Sequence, residues 1–343
     1  MLVFWPKDVI ISKMRGKKVF IFSIFIFLIG LILGGLFDNH FLYKKYIPNS
    51  QCIRLKGFQL ISPLLYCEST PSENNDFTKK LSDDLQNYIT KSQNNSLAKS
   101  ISVYFRIPDF GDWVGINENE KYTPASLLKI PTMIAYYNQT RNNPEILSTE
   151  LKFDGGTNND KENIKPTREM EQDKSYTIDN LINLMIVESD NNAKDVLVKN
   201  MDPEEFYRIF DEIGIGRLDY QQTENFMDVK KYASFFRILY NASYLTRKMS
   251  EKALNLLTQV KFTEGLAAGI PSDIHVAHKF GERSYGFTDE KQLHDCGIIY
   301  VPNHPYILCV MTRGNSFENL QKVIATISSK TYSAVNKLEN IKN

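Results

Sequence analysis

The chain has 343 residues, 42% of them hydrophobic and 12% aromatic, enough for one large domain or two ordinary ones with a substantial core. Its net charge is +1 and its basic residues are scattered beyond the N-terminus, which argues against a nucleic-acid partner. Five histidines are spread out, and the His294, Cys296, His304, Cys309 group lacks paired zinc-ligand spacing, so neither a structural metal nor a cofactor is expected.

Val19 to Phe37 is an uncharged apolar run of 19 residues, long enough to cross a bilayer as a helix. Lys13, Arg15, Lys17 and Lys18 precede it, so the N-terminus is expected to stay in the cytoplasm and the rest of the chain outside. The run ends in Gly34-Gly35-Leu36-Phe37 without a small-residue cleavage site, which favours an uncleaved membrane anchor over a secreted product of signal cleavage. Residues 38–77 read as an extracytoplasmic stalk ending in the polar linker Ser69 to Asn75. Within it, Cys52 and Cys67 bracket an apolar patch and are able to pair in an oxidising compartment.

Phe77, Leu81, Leu85, Tyr88 and Ile89 carry helical spacing over 78–92. Strands are predicted at Ile101 to Arg106 and Trp113 to Asn117, separated by a turn at Pro108 to Asp112. Thr123-Pro124-Ala125-Ser126 opens a helix to about Asn138, with Pro131 expected to kink or tighten it. Residues 141–176 are polar and irregular. Thr177 is expected to cap a helix with an Ile178, Leu181, Ile182, Met185, Ile186 face that ends at Ser189. Further helices are read within 192–200, at 203–213 and at 228–241. Ile274 to Phe280 reads as a strand, and Cys296 to Val301 with Tyr306 to Thr312 as a hairpin through Pro302-Asn303-His304-Pro305. A helix over 317–339 closes the chain. Strands at both ends with helices between them predict an α+β fold, an antiparallel sheet covered by the terminal helices. Cys296 and Cys309 are equidistant from the hairpin turn and therefore predicted to face each other. Reduced, buried thiols are the expected state there.

Three motifs punctuate this order: Ser126-Leu127-Leu128-Lys129, Ser189-Asp190-Asn191 and Lys279-Phe280-Gly281. A serine hydroxyl needs a base to act as a nucleophile. Lys129, three residues on along a helix, shares a face with Ser126. It serves as a base only if burial or nearby positive charge lowers its pKa, and Lys279 is one source of such charge. The helix N-terminus at Ser126 favours a developing oxyanion. Ser189-Asp190-Asn191 falls in a loop between two helices, where the same residues also serve as ordinary caps.

With about 60 residues between the first two motifs and about 90 between the last two, the chain resembles the penicillin-recognising serine enzymes, and within them the class A β-lactamase branch, over residues 80–340. The resemblance implies a β-lactamase/transpeptidase-like fold, a sheet domain interrupted by an all-helical insertion with the site in the cleft between. It implies catalysis by Ser126, Lys129 and Ser189, with Ser189 relaying a proton to the leaving nitrogen. Asn191, Lys279, Gly281 and Glu282 would contact substrate, and Asp190 would be structural. Lys279 would bind the substrate carboxylate, and Gly281 would let the substrate backbone approach the strand. Phe280 departs from the family's threonine and removes a hydroxyl donor, for which Arg283 is a candidate replacement. The glutamate that activates the deacylating water aligns with Gln222, or with Glu224 after a slip of two residues, on a shortened loop. A glutamine orients water but takes no proton from it. Three readings therefore stand: a membrane-anchored hydrolase of a β-lactam or related amide, a D-Ala-D-Ala-type peptidase or transpeptidase on cell-wall peptides, and a domain that binds such ligands without turnover. The catalytic domain is expected to be monomeric and to start near residue 78.

Overall fold

The computed structural model of the protein describes residues 50–69, 76–109, 111–156, 159, 162–217 and 224–340. The apolar run Val19 to Phe37, most of the linker and Gln222 lie outside the described residues. Among the described residues no helix is long and apolar enough to cross a membrane.

The segment read as a stalk departs from expectation. Strands β1 (Ser50–Arg54) and β2 (Leu64–Ser69) pair as a hairpin that sets Cys52 opposite Cys67 in backbone register. Leu60 and Ile61 between them are buried. The Glu251 carboxylate accepts from the backbone N–H groups of Gln59, Leu60 and Ile61, and Arg54 pairs with Asp109 at 2.7 Å. Residues 50–65 thus dock on the domain, because an apolar tip and a partly buried arginine find partners there.

Helix α1 (Asp76–Asn94) buries Leu81, Leu85 and Ile89 at the predicted spacing. It leads into β3 (Ser100–Arg106) and β4 (Trp113–Ile116). With β7 (Val276–Ser284), β8 (Lys291–Ile299) and β9 (Tyr306–Gly314) these form one antiparallel sheet in the order β4-β3-β9-β8-β7. Ile101 to Phe105 are buried at five consecutive positions of β3, so both faces of the sheet are covered. The closing helix α8 (Phe317–Asn340) packs on α1, β8 and β9. The all-helical part comprises α2 (Lys129–Gln139), α3 (Ile178–Val187), α4 (Asn191–Lys199), α5 (Pro203–Glu212), α6 (Val229–Tyr240) and α7 (Arg247–Leu257). The starts of α3 to α7 are set by side-chain caps from Thr177, Asp190, Asp202, Asp228 and Thr246.

Four local expectations are corrected. Helix α7 and the short ladder β5 (Glu150–Lys152) with β6 (Ser175–Thr177) were not anticipated, and β8 starts five residues before the predicted Cys296. Cys296 and Cys309 do pair in register, but as a disulfide rather than two thiols, their Cα atoms 3.9 Å apart. The close facing position leaves the two sulfurs directly opposed.

Candidate active site

Ser126 sits on a short 3₁₀ turn, Ala125–Leu128, that runs into α2. Ala125 holds φ at +49°, a left-handed value that costs an alanine roughly 1–2 kcal/mol. The surroundings enforce it. Thr123 N–H donates to Gln292 at 3.0 Å, and His294 Nε2 donates to Thr123 O at 3.1 Å. Thr312 N–H donates to the other ring nitrogen of His294, and burial lowers that imidazole's pKa to about 3, so it is neutral. Tyr232 OH donates to Leu127 O at 2.9 Å. Pro131 is the third residue of α2, where no intrahelical acceptor awaits its missing N–H, so the proline tightens the start without a break.

Ser126 and Lys129 both line a cavity of about 720 Å³. Lys129 is 1% exposed, and burial lowers its pKa from 10.5 to about 8 against the opposing pull of Glu162. Its ammonium donates to Ser189 O at 2.5 Å and to Ser189 Oγ at 3.1 Å. Lys279 Nζ donates to the same Ser189 Oγ at 2.9 Å. Ser189 therefore bridges two lysines, held in place by φ of +59° and by the Asp190 cap on α4. Burial first, and then the Lys129 charge, push the Lys279 pKa well down. Two buried ammoniums on one hydroxyl drive at least one lysine toward its neutral form.

Lys279 is fully buried and outside the cavity lining, with its ammonium 4.0 Å from the centroid of the Phe280 ring. Phe280 is buried too, its ring 4.4 Å from Phe262. The residue that departs from the family pattern thus takes up core packing and a cation–π contact. Gly281 is needed by the protein itself: a Cβ there would lie 2.6 Å from Pro124 O and 3.0 Å from Leu127 Cγ. Its smallness lets β7 lie against the Ser126 turn.

Asn191 lines the cavity, with its side-chain amide on Glu162 Oε1 and its N–H on Asn159 at 2.8 Å. Glu162 and Glu282 line it as well. Glu282 Oε1 accepts the N–H groups of Asn163 at 2.8 Å and Ile164 at 2.7 Å, pinning the loop that carries Glu162. Burial, with the neighbouring Glu162 adding to it, raises the Glu282 pKa to about 7. Glu224 lines the cavity and pairs with Arg283 at 2.9 Å, both side chains being nearly half exposed. Sequence reasoning missed Glu162 and Asn159. They sit in the irregular 141–176 stretch, where no periodicity or motif marks them.

The beta-lactamase enzyme family model matches residues 80–335. The fold is also that of solved structures at low identity. One is a mutant of PBP-A in an acyl-enzyme complex with penicillin G, 19% identical, with a TM-score of 0.61 over 76% of this chain and 97% of that one. A class A β-lactamase from Bacteroides cellulosilyticus is 17% identical, with a TM-score of 0.64 over 75% and 99%. A β-lactamase from Xanthomonas campestris pv. campestris is 18% identical, with a TM-score of 0.63 over 74% and 98%. No curated protein matches the sequence. With the family model spanning most of its length, the chain belongs to the beta-lactamase enzyme family.

Proposed function

We propose that the protein is a membrane-anchored serine hydrolase that cleaves a β-lactam or related amide through an acyl-enzyme on Ser126. The observation that carries this reading is Lys129: one helical turn after Ser126, on the same cavity, buried, with a pKa near 8. Its neutral amine takes the Ser126 proton as Oγ attacks the carbonyl carbon. The oxyanion forms beside the N-terminus of the Ser126 turn and α2, whose positive dipole end favours it. Ser189, bonded to both lysines, returns a proton to the leaving nitrogen as the C–N bond breaks. Water then attacks the ester, and Ser126 Oγ regains its proton. Val19 to Phe37 would hold the domain outside the cytoplasmic membrane, as a monomer.

One observation favours a second reading, a penicillin-binding protein or cell-wall peptidase with a persistent acyl-enzyme. Glu224, the carboxylate nearest in sequence to the expected deacylation position, pairs through Oε1 with Arg283, and Gln222 itself carries no base. A fluorescent penicillin followed by intact mass over time separates the readings. A transient adduct supports hydrolysis, a lasting adduct supports the second reading, and no adduct argues for a different substrate or for binding without turnover.

A further inference from the structure

The cavity that holds Ser126 changes character along its length. Ser126, Lys129 and Asn191 give it a polar end. Val198 and Met201 at the end of α4 and beyond it, Phe206 of α5, and Phe226 give the same cavity an apolar end. Helix geometry sets the distance between the two. Along α4 the lining positions are Asn191, Lys194 and Val198, on one face, so Val198 lies about 10 Å along the axis from Asn191. On α2, Thr132 lines the cavity one turn beyond Leu128, and its hydroxyl donates to Leu128 O at 3.0 Å, so that proton is spent within the helix. The Phe206 ring is fixed against Phe210 at 5.2 Å and Tyr207 at 5.3 Å. Val198 is 50% exposed, an apolar side chain left open where it lines the cavity.

We propose that the apolar end, walled by Val198, Met201, Phe206 and Phe226, is a subsite for the acyl group of the substrate, and that the substrate is an amide carrying an apolar acyl chain. This rests on the reading of the cavity as the place where Ser126 is acylated. The occupant is a part of the substrate because the apolar wall and the nucleophile share one cavity. The side of the scissile bond follows from Ser189. The leaving nitrogen faces that hydroxyl, which is bonded to Lys279 of β7, and β7 packs on the Ser126 turn. The acyl group is then directed away from β7, along α2 and α4 toward α5, which packs on α2. An extended chain advances about 1.3 Å per carbon–carbon bond, so the length of α4 from Asn191 to Val198 matches about eight carbons. A cavity of about 720 Å³ has room for such a chain beside the amide.

The test is calorimetric binding to the Ser126→Ala protein, which does no chemistry. The ligands are the acetyl, butanoyl, hexanoyl, octanoyl and decanoyl amides of glycinamide. A fully buried methylene tightens binding about fourfold, and a cavity open at Val198 should give about half of that free energy. Affinity is therefore expected to rise about twofold per methylene, roughly 60-fold from acetyl to octanoyl, and to level off at decanoyl. The heat capacity of binding should become more negative over the same range. Val198→Gln, a substitution at a half-exposed helix position, should lower the octanoyl-to-acetyl ratio at least threefold. Phe287→Ser, at an exposed apolar residue outside the cavity lining, should leave that ratio unchanged. No binding by any member, a flat series, a gain that continues undiminished to decanoyl, a ratio insensitive to Val198→Gln, or one lost in Phe287→Ser would each overturn the proposal. So would a length dependence seen only when the chain is moved to the amine side, as in N-octylacetamide. Failure of the wild-type protein to be acylated while the series holds would instead remove the hydrolase reading alone, and acylation of Ser126 with a flat series would remove this subsite alone.

Discussion

Lys129→Met isolates what burying a cation costs this fold. The pKa falls from 10.5 to about 8 at a side chain 1% exposed, so keeping Lys129 protonated in the folded state costs about 3 kcal/mol at neutral pH. Methionine fills a similar volume without charge. It also removes the donor to Ser189 O, while Ser189 Oγ keeps Lys279, a loss of about 1–2 kcal/mol. The net expectation is stabilisation by about 1–2 kcal/mol at pH 7, or roughly 2 to 4 °C in Tm, with acylation lost. The pH dependence fixes the sign. The folded-state pKa is depressed, so the unfolded chain binds more protons between about 8 and 10.5, and wild-type stability rises with pH across that window. The advantage of the methionine variant should therefore be full below pH 8 and gone by about 10.5. Urea denaturation of both proteins at pH 7 and pH 10 measures it. A variant less stable than wild type at pH 7, by an amount that does not change with pH, would refute the reasoning and make Glu162 a true ion partner of Lys129.

Other outcomes follow from the same geometry. The rate of acylation should rise with pH through about 8 as Lys129 loses its proton, and Lys129→Ala should slow it by about 10² to 10⁴. Gly281→Ala should cost about 1–3 kcal/mol and lower the acylation rate, because its Cβ meets Pro124 O at 2.6 Å and displaces the Ser126 turn; unchanged stability would show that β7 and the turn are not in contact. Replacing Cys296 and Cys309 with alanine should lower stability by about 2–4 kcal/mol through loss of the disulfide, measured as a fall in denaturation midpoint that reductant does not deepen.

The fold was legible where apolar spacing was dense. Leu81, Leu85 and Ile89 announce α1, and the Cys296/Cys309 register follows from the position of the turn. The start of β8 was hidden because Gln292, His294 and Asp295 are polar yet buried. They hold Thr123 N–H, Thr123 O and the pair His278 with Leu266 N–H, so side-chain partners replace the apolar signal. At the site, the spacing of Ser126 and Lys129 was enough to put both on one cavity. The Asp190 cap was readable from residue type. The partners were not. Ser189 lies 90 residues from Lys279, and Glu282 holds a loop 119 residues before it. Such contacts are set by tertiary packing and leave no local pattern. The same holds for Phe280, read from the motif as a lost hydroxyl and found as the ring beneath a buried ammonium.

Ser126 is the residue acylated in the proposed reaction. Incubation with a penicillin at pH 8, quenching in acid and peptide mapping by mass spectrometry tests it most directly. The expected result is a single adduct on the peptide containing Ser126, absent from Ser126→Ala. An adduct on any other serine, or one that persists in Ser126→Ala, would contradict it.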